Sequence, residues 1–151
     1  MKHLATLLLM AALHLHVFSQ LNSQQPLTRI AFGSCISQNE EQPIWDAVLA
    51  QQPQLFIFAG DNLYGDTEDM QLLQSKYKQL SAKPGFVKLR ATTPIIATWD
   101  DHDYGPNDSD KTFAYKSDAL RLFRQYWPNP DMGSPELPGT WMSFTHQDAE
   151  F

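Results

Sequence analysis

The chain has 151 residues, 42% hydrophobic and 19% charged, which suits the core of one ordinary domain and excludes wholesale disorder. Its 17 acidic and 11 basic side chains give a formal net charge of −6, with no basic cluster of the kind that neutralises nucleic-acid phosphates. A single cysteine, Cys35, excludes an internal disulfide framework and an all-cysteine zinc site.

Met1-Lys2-His3 is a short positive start, and Leu4 to Leu15 is a nearly continuous apolar run. Val17-Phe18-Ser19 then sets small or modest residues before Gln20, which completes the three-part layout of a secretory signal peptide over residues 1–19. The run is too short for a stable membrane anchor, which needs about 20 residues. The expected product is residues 20–151, secreted or periplasmic, with His102 and His146 as its histidines.

Leu27 to Phe32 reads as a strand ending at Gly33-Ser34-Cys35. Pro43 sits where a helix begins, and Ile44, Trp45, Val48 and Leu49 share one face of it. Leu55 to Ala59 is continuously apolar, as in a strand covered on both faces, and stops at Gly60-Asp61. A helix is predicted from about Glu68 to Leu80, with Pro84-Gly85 as punctuation after it. Thr93 to Thr98 reads as a third strand, followed by Trp99-Asp100-Asp101-His102-Asp103. Ala119, Leu120, Phe123, Tyr126 and Trp127 share a face of a third helix. After a Pro-rich loop, Thr140 to Thr145 reads as a fourth strand, and Ala149 onward opens another. Strands alternating with helices predict α/β layering, in which ligands gather beyond the carboxyl ends of the strands. Three of those ends carry Cys35, Asp61 and the Asp100–Asp103 cluster.

Each of these residues has a plain reading beside a chemical one. Asp61 suits a turn or helix cap as well as a ligand position. Tyr64 suits packing, and Cys35 suits either a small apolar site or a thiolate ligand or nucleophile. Three carboxylates in four residues, Asp100, Asp101 and Asp103, repel one another unless solvent or a cation relieves them. Carboxylates with an imidazole suit a divalent or trivalent cation, the alternative being an exposed acidic loop. The chain has no Gly-x-Ser-x-Gly elbow, no phosphate-binding or dinucleotide glycine loop and no His-Glu-x-x-His. A calcium-loop pattern starting at Asp101 fails at Gly105 and Pro106.

In order, Gly33-Ser34-Cys35, the run Gly60-Asp61-Asn62-Leu63-Tyr64-Gly65-Asp66 and the run from Thr98 to Asp108 closely resemble the alkaline phosphatase D (PhoD-like) family of calcineurin-like metallophosphatases. The resemblance covers about Arg29 to Phe151 and includes Lys116 to Leu120 and Tyr126-Trp127-Pro128. It implies an α/β fold of the layered metallophosphatase type, a βαβ sandwich. It also implies a metal-dependent phosphoric ester hydrolase whose partner is a small phosphate ester, monoester or diester. The implied cofactors are Fe3+ and Ca2+ at a dinuclear site. Asp61 matches the bridging carboxylate, Cys35 and Tyr64 match ligands to the ferric ion, and Asp101 matches a ligand to the second metal. His102 matches the histidine that contacts the phosphate and protonates the leaving group. Asn62 and Asp100 match positions behind the ligands, or ligands themselves. A thiolate and a phenolate favour a trivalent ion, and a cation pair about 3.5–4 Å apart turns bound water into hydroxide that attacks phosphorus in line. The cations also offset the chain's negative charge, so that an anionic ester can bind.

The family's sheet continues past this point and supplies further ligands, histidine among them. Ala149-Glu150-Phe151 therefore reads as a cut within or just before a strand, leaving an unpaired sheet edge and exposed apolar surface. Two other readings stay open: an inactive truncated fragment, and a secreted calcium-binding module without catalysis.

Overall fold

The computed structural model describes residues 25–147 and 149–151. The signal peptide expected over 1–19 lies outside the described residues, among which no helix is long and apolar enough to cross a membrane.

The elements run β1 (Ile30–Gly33), α1 (Ile44–Ala50), β2 (Leu55–Ala59), α2 (Met70–Ser81), α3 (Pro84–Thr92), β3 (Ile95–Thr98), α4 (Asp101–Tyr104) and α5 (Lys116–Tyr126), then a hairpin of β4 (Thr145–His146) and β5 (Ala149–Glu150). The first three strands form one parallel sheet in the order β1-β2-β3, with Ala31 beside Phe56 and Phe58 beside Ala97. Parallel pairing puts all three carboxyl ends on one edge, as the alternation predicts.

Local chemistry explains the helix boundaries. The Asp69 carboxylate accepts from the Gln71 and Leu72 amides, so α2 starts at Met70 rather than Glu68. Pro84-Gly85 is not punctuation: Pro84 occupies the first turn of α3, a helix that the sequence reading missed. Gly85 is required there by packing, because a Cβ would come within 2.5 Å of the Trp45 ring of α1.

One face of the sheet carries most of the core. Phe56 and Phe58 of the central strand pack with Trp45, Phe86, Leu89, Phe123 and Trp127, which are all buried. The Phe58 ring centroid lies 4.8 Å from that of Trp127 and 5.8 Å from that of Phe86. Ala119, Leu120 and Phe123 are the buried face of α5, as their spacing predicts. On the other face Leu55 and Ile96 are covered by Leu27, Met142, Phe144 and Phe151. That cover does not extend to β1, where Ile30 is 40% and Phe32 78% exposed.

The fourth strand expected over Thr140–Thr145 does not join this sheet. Thr145–His146 instead pairs antiparallel with Ala149–Glu150, and Phe144 and Phe151 exchange main-chain hydrogen bonds of 3.1 and 2.9 Å. The place beside β3 is already taken. The Asn129 amide accepts from the Ala97 N–H at 2.8 Å and donates to the Ala97 carbonyl at 2.6 Å, occupying both ladder groups of that residue.

Candidate metal centre at the carboxyl edge of the sheet

Three loops meet at this edge and are stitched together by backbone. The Cys35 amide donates to the Gly60 carbonyl and the Ile36 amide to the Asp61 carbonyl, joining the loops after β1 and β2. The loop after β3 comes equally close: a Cβ on Gly60, whose φ is +102°, would lie 2.9 Å from the Asp100 Cβ. Among the described residues six non-glycines have positive φ, and Cys35, Asp61, Asp66 and Asp108 belong to these loops. Unfavourable backbone of this kind is kept where the surrounding structure over-determines it, most often at ligand sites.

Donor atoms of Asp61, Asp101 and His102 lie within 4.8 Å of one another, a group able to hold a metal ion. The Cys35 Sγ is 3.5 Å from Asp61 Oδ2, and the Tyr64 ring lies 4.6 Å from the His102 ring. The other carboxylate oxygen, Asp61 Oδ1, is buried and meets no donor, as is Asn62 Oδ1. A buried acceptor without a partner costs about 1–3 kcal/mol, and a cation relieves that cost. The residues present therefore fit a metal.

Electrostatics here works against anionic ligands until a cation arrives. Burial raises the Tyr64 phenol above its ordinary range, and the thiol of Cys35, which also hydrogen-bonds it, and the charges of Asp61 and Asp66 raise it further. A bound cation reverses that balance. For His102, burial lowers the imidazole, but the hydrogen bond and charge of Asp66, with Asp101 and Asp61, outweigh burial and raise it. His102 Nδ1 lies 2.5 Å from Asp66 Oδ1. In the metal-free chain His102 is therefore expected to titrate above the ordinary histidine value by NMR, and Asp66→Asn to bring it down. Its contribution to stability is full below the ordinary histidine value and is lost as pH rises through the raised one.

The structure brings all five expected site residues, Cys35, Asp61, Tyr64, Asp101 and His102, to this edge. Asn62 and Asp100 lie at the same edge: Asn62 Nδ2 donates to the Thr98 carbonyl at 2.6 Å, and Asp100 caps α4 by accepting from the Asp101 amide. Asp101 Oδ2 also accepts from the Asp108 amide.

Asp66 and Gln38 have no role in the sequence reading, and Asp103 stands there only as one of three clustered carboxylates. Asp66 escaped because its partner His102 is 36 residues away. Gln38 sits in the loop after β1 and is wholly buried. Asp103, also wholly buried, accepts from the Asn62 amide at 3.0 Å and the Asp100 amide at 2.9 Å, so it ties the second loop to the third. Burial pushes its carboxyl up to about 8, against the pull of the Asp100 and Asn62 donors. The three-residue spacing from Asp100 to Asp103 is a capping box, the one local signal that could have found it.

No family model matches the chain, and no curated protein matches it. Among solved structures, one titled "Structure of PhoD" is similar, with a TM-score of 0.64 and 16% identity, over 83% of this chain and 30% of that one. The chain thus spans under a third of the PhoD structure. At this identity the likeness concerns the fold: a mixed α/β unit with a parallel three-stranded sheet, similar to part of PhoD.

Proposed function

We propose that the chain is the metal-holding part of an alkaline phosphatase D-like phosphoric ester hydrolase acting on a small phosphate monoester or diester. The observation that carries this reading is the Asp61, Asp101 and His102 group, with Asp61 Oδ1 buried and unpartnered, at the carboxyl edge of a PhoD-like fold. Asp61, Cys35 and Tyr64 would hold ferric iron, and Asp61 and Asp101 would hold calcium. Bound there, the cations would supply Lewis-acid charge for the phosphate and acidify water.

The chain's own groups have separate tasks. Cys35 and Tyr64 must give up their protons as the cation enters, so loading favours higher pH. Asp66 engages His102 through Nδ1. That leaves Nε2 as the nitrogen available to a phosphate oxygen or leaving group. The reading includes export, from the pattern over residues 1–19, and a layered sandwich in which further strands cover the exposed Ile30 and Phe32.

Hydrolysis of p-nitrophenyl phosphate by the purified chain with iron and calcium, beside Asp61→Ala, tests the proposal. Turnover is expected in the parent and a loss of roughly 100-fold or more in the variant, since changes merely behind a metal ligand already cost 10–100-fold. Equal activity in both rejects the site. Calcium binding without turnover or a visible iron band would turn the reading to a calcium-binding module.

A further inference from the structure

We infer that Gln38 is a positioning residue for Tyr64, setting the loop after β1 in register with the loop after β2. Its side chain is wholly buried, and both ends of its amide are used on one residue. Gln38 Nε2 donates to the Tyr64 carbonyl at 3.0 Å, and Gln38 Oε1 accepts from the Tyr64 amide at 2.9 Å. Gln38 is itself braced, because its main-chain carbonyl accepts from Gln79 Nε2 of α2 at 2.9 Å.

An apolar side chain would fill the same space without desolvating an amide. A buried glutamine also gives up much rotamer freedom, so its presence specifies something that packing alone does not. What it specifies is the main chain of Tyr64. The Tyr64 carbonyl has a second donor in Lys76 Nζ at 3.2 Å, whereas the Tyr64 amide relies on Gln38 Oε1. Fixing that main chain fixes where the ring leaves it, over His102 and beside the Cys35 thiol. The clamp stands on geometry alone; its role toward a metal rests on the function proposed above.

Two measurements on the full chain separate these claims. In the metal-free chain, Gln38→Met removes donor and acceptor at similar volume. Losing one net hydrogen bond of about 1–1.5 kcal/mol is expected to speed Tyr64 amide hydrogen exchange about tenfold, with the Phe58 and Ile96 amides unchanged. Unchanged Tyr64 exchange overturns the clamp. If Gln38→Met fails to fold, Gln79→Ala on the exposed side of α2 loosens the brace, and about threefold faster exchange is expected. No change there overturns the clamp as well.

Titration with ferric iron alone is the second measurement. Iron affinity in Gln38→Met is expected to fall roughly 10–100-fold, with the visible phenolate-to-iron band displaced. Gln38→Glu, which keeps an acceptor for the Tyr64 amide, is expected to restore most of the band. An iron affinity and band unmoved by Gln38→Met overturn the positioning role. Failure of the parent chain to bind iron overturns the proposed function and leaves the clamp to the exchange result.

Discussion

Asp103→Ala is expected to destabilise the metal-free chain by roughly 2–4 kcal/mol, for two donors left unpaired, one buried and one partly buried, at about 1–3 kcal/mol for a buried one and less for the other. The donors are the Asn62 and Asp100 amides, which the Asp103 carboxylate accepts at 3.0 and 2.9 Å. The Tyr77 hydroxyl also donates to the Asp103 carbonyl at 3.3 Å, so the residue is held from α2 as well. The urea midpoint should fall with an unchanged denaturant slope, and a midpoint within error of the parent would show that the tie is unimportant.

Asp103 also gives stability a pH dependence of definite sign. Its carboxyl is raised from 3.8 to about 8, so between those values the folded chain keeps a proton that the unfolded chain has lost. Its contribution is therefore most favourable below pH 3.8 and declines as pH rises to about 8. Asp103→Asn, which cannot ionise, is expected to flatten that part of the stability profile.

Phe58→Ala is the second large effect, expected to cost roughly 3–5 kcal/mol as a buried aromatic replaced by a cavity. Phe58 is 2% exposed on the central strand, and its ring meets Trp45, Phe56, Phe86 and Trp127. Phe58 thus joins the central strand to α1, α3 and the residue that ends α5. Phe32→Ala, three-quarters exposed on the neighbouring strand, is expected to stay within about 0.5 kcal/mol of the parent. Equal midpoints for the two variants would contradict the burial pattern.

The difference between those two phenylalanines shows what the sequence could and could not convey. The run from Leu55 to Ala59 reads as a central strand because nothing polar interrupts it, and the spacing of Ala119, Leu120 and Phe123 reads as one helix face. The strand-end motifs are legible for a related reason: glycine and aspartate after an apolar run mark where the sheet stops. Helix α3 is not legible, because Pro84-Gly85 means a break or a first turn depending on whether Trp45 needs room. Thr140–Thr145 has the composition of a strand, but the only neighbouring place beside β3 is filled by Asn129, 32 residues from its partner Ala97. Gln38 and Asp66 are polar residues in loops until Tyr64 and His102 arrive from 26 and 36 residues away. Their meaning lies in pairing, which no local pattern records.

The Asn129 amide has one more consequence. By filling both ladder groups of Ala97 it blunts the β3 side of the sheet, whereas no described strand pairs with the outer side of β1. Any strand added to this sheet, whether from the same protein or from a second copy, is thereby turned away at Ala97 and directed to the β1 side.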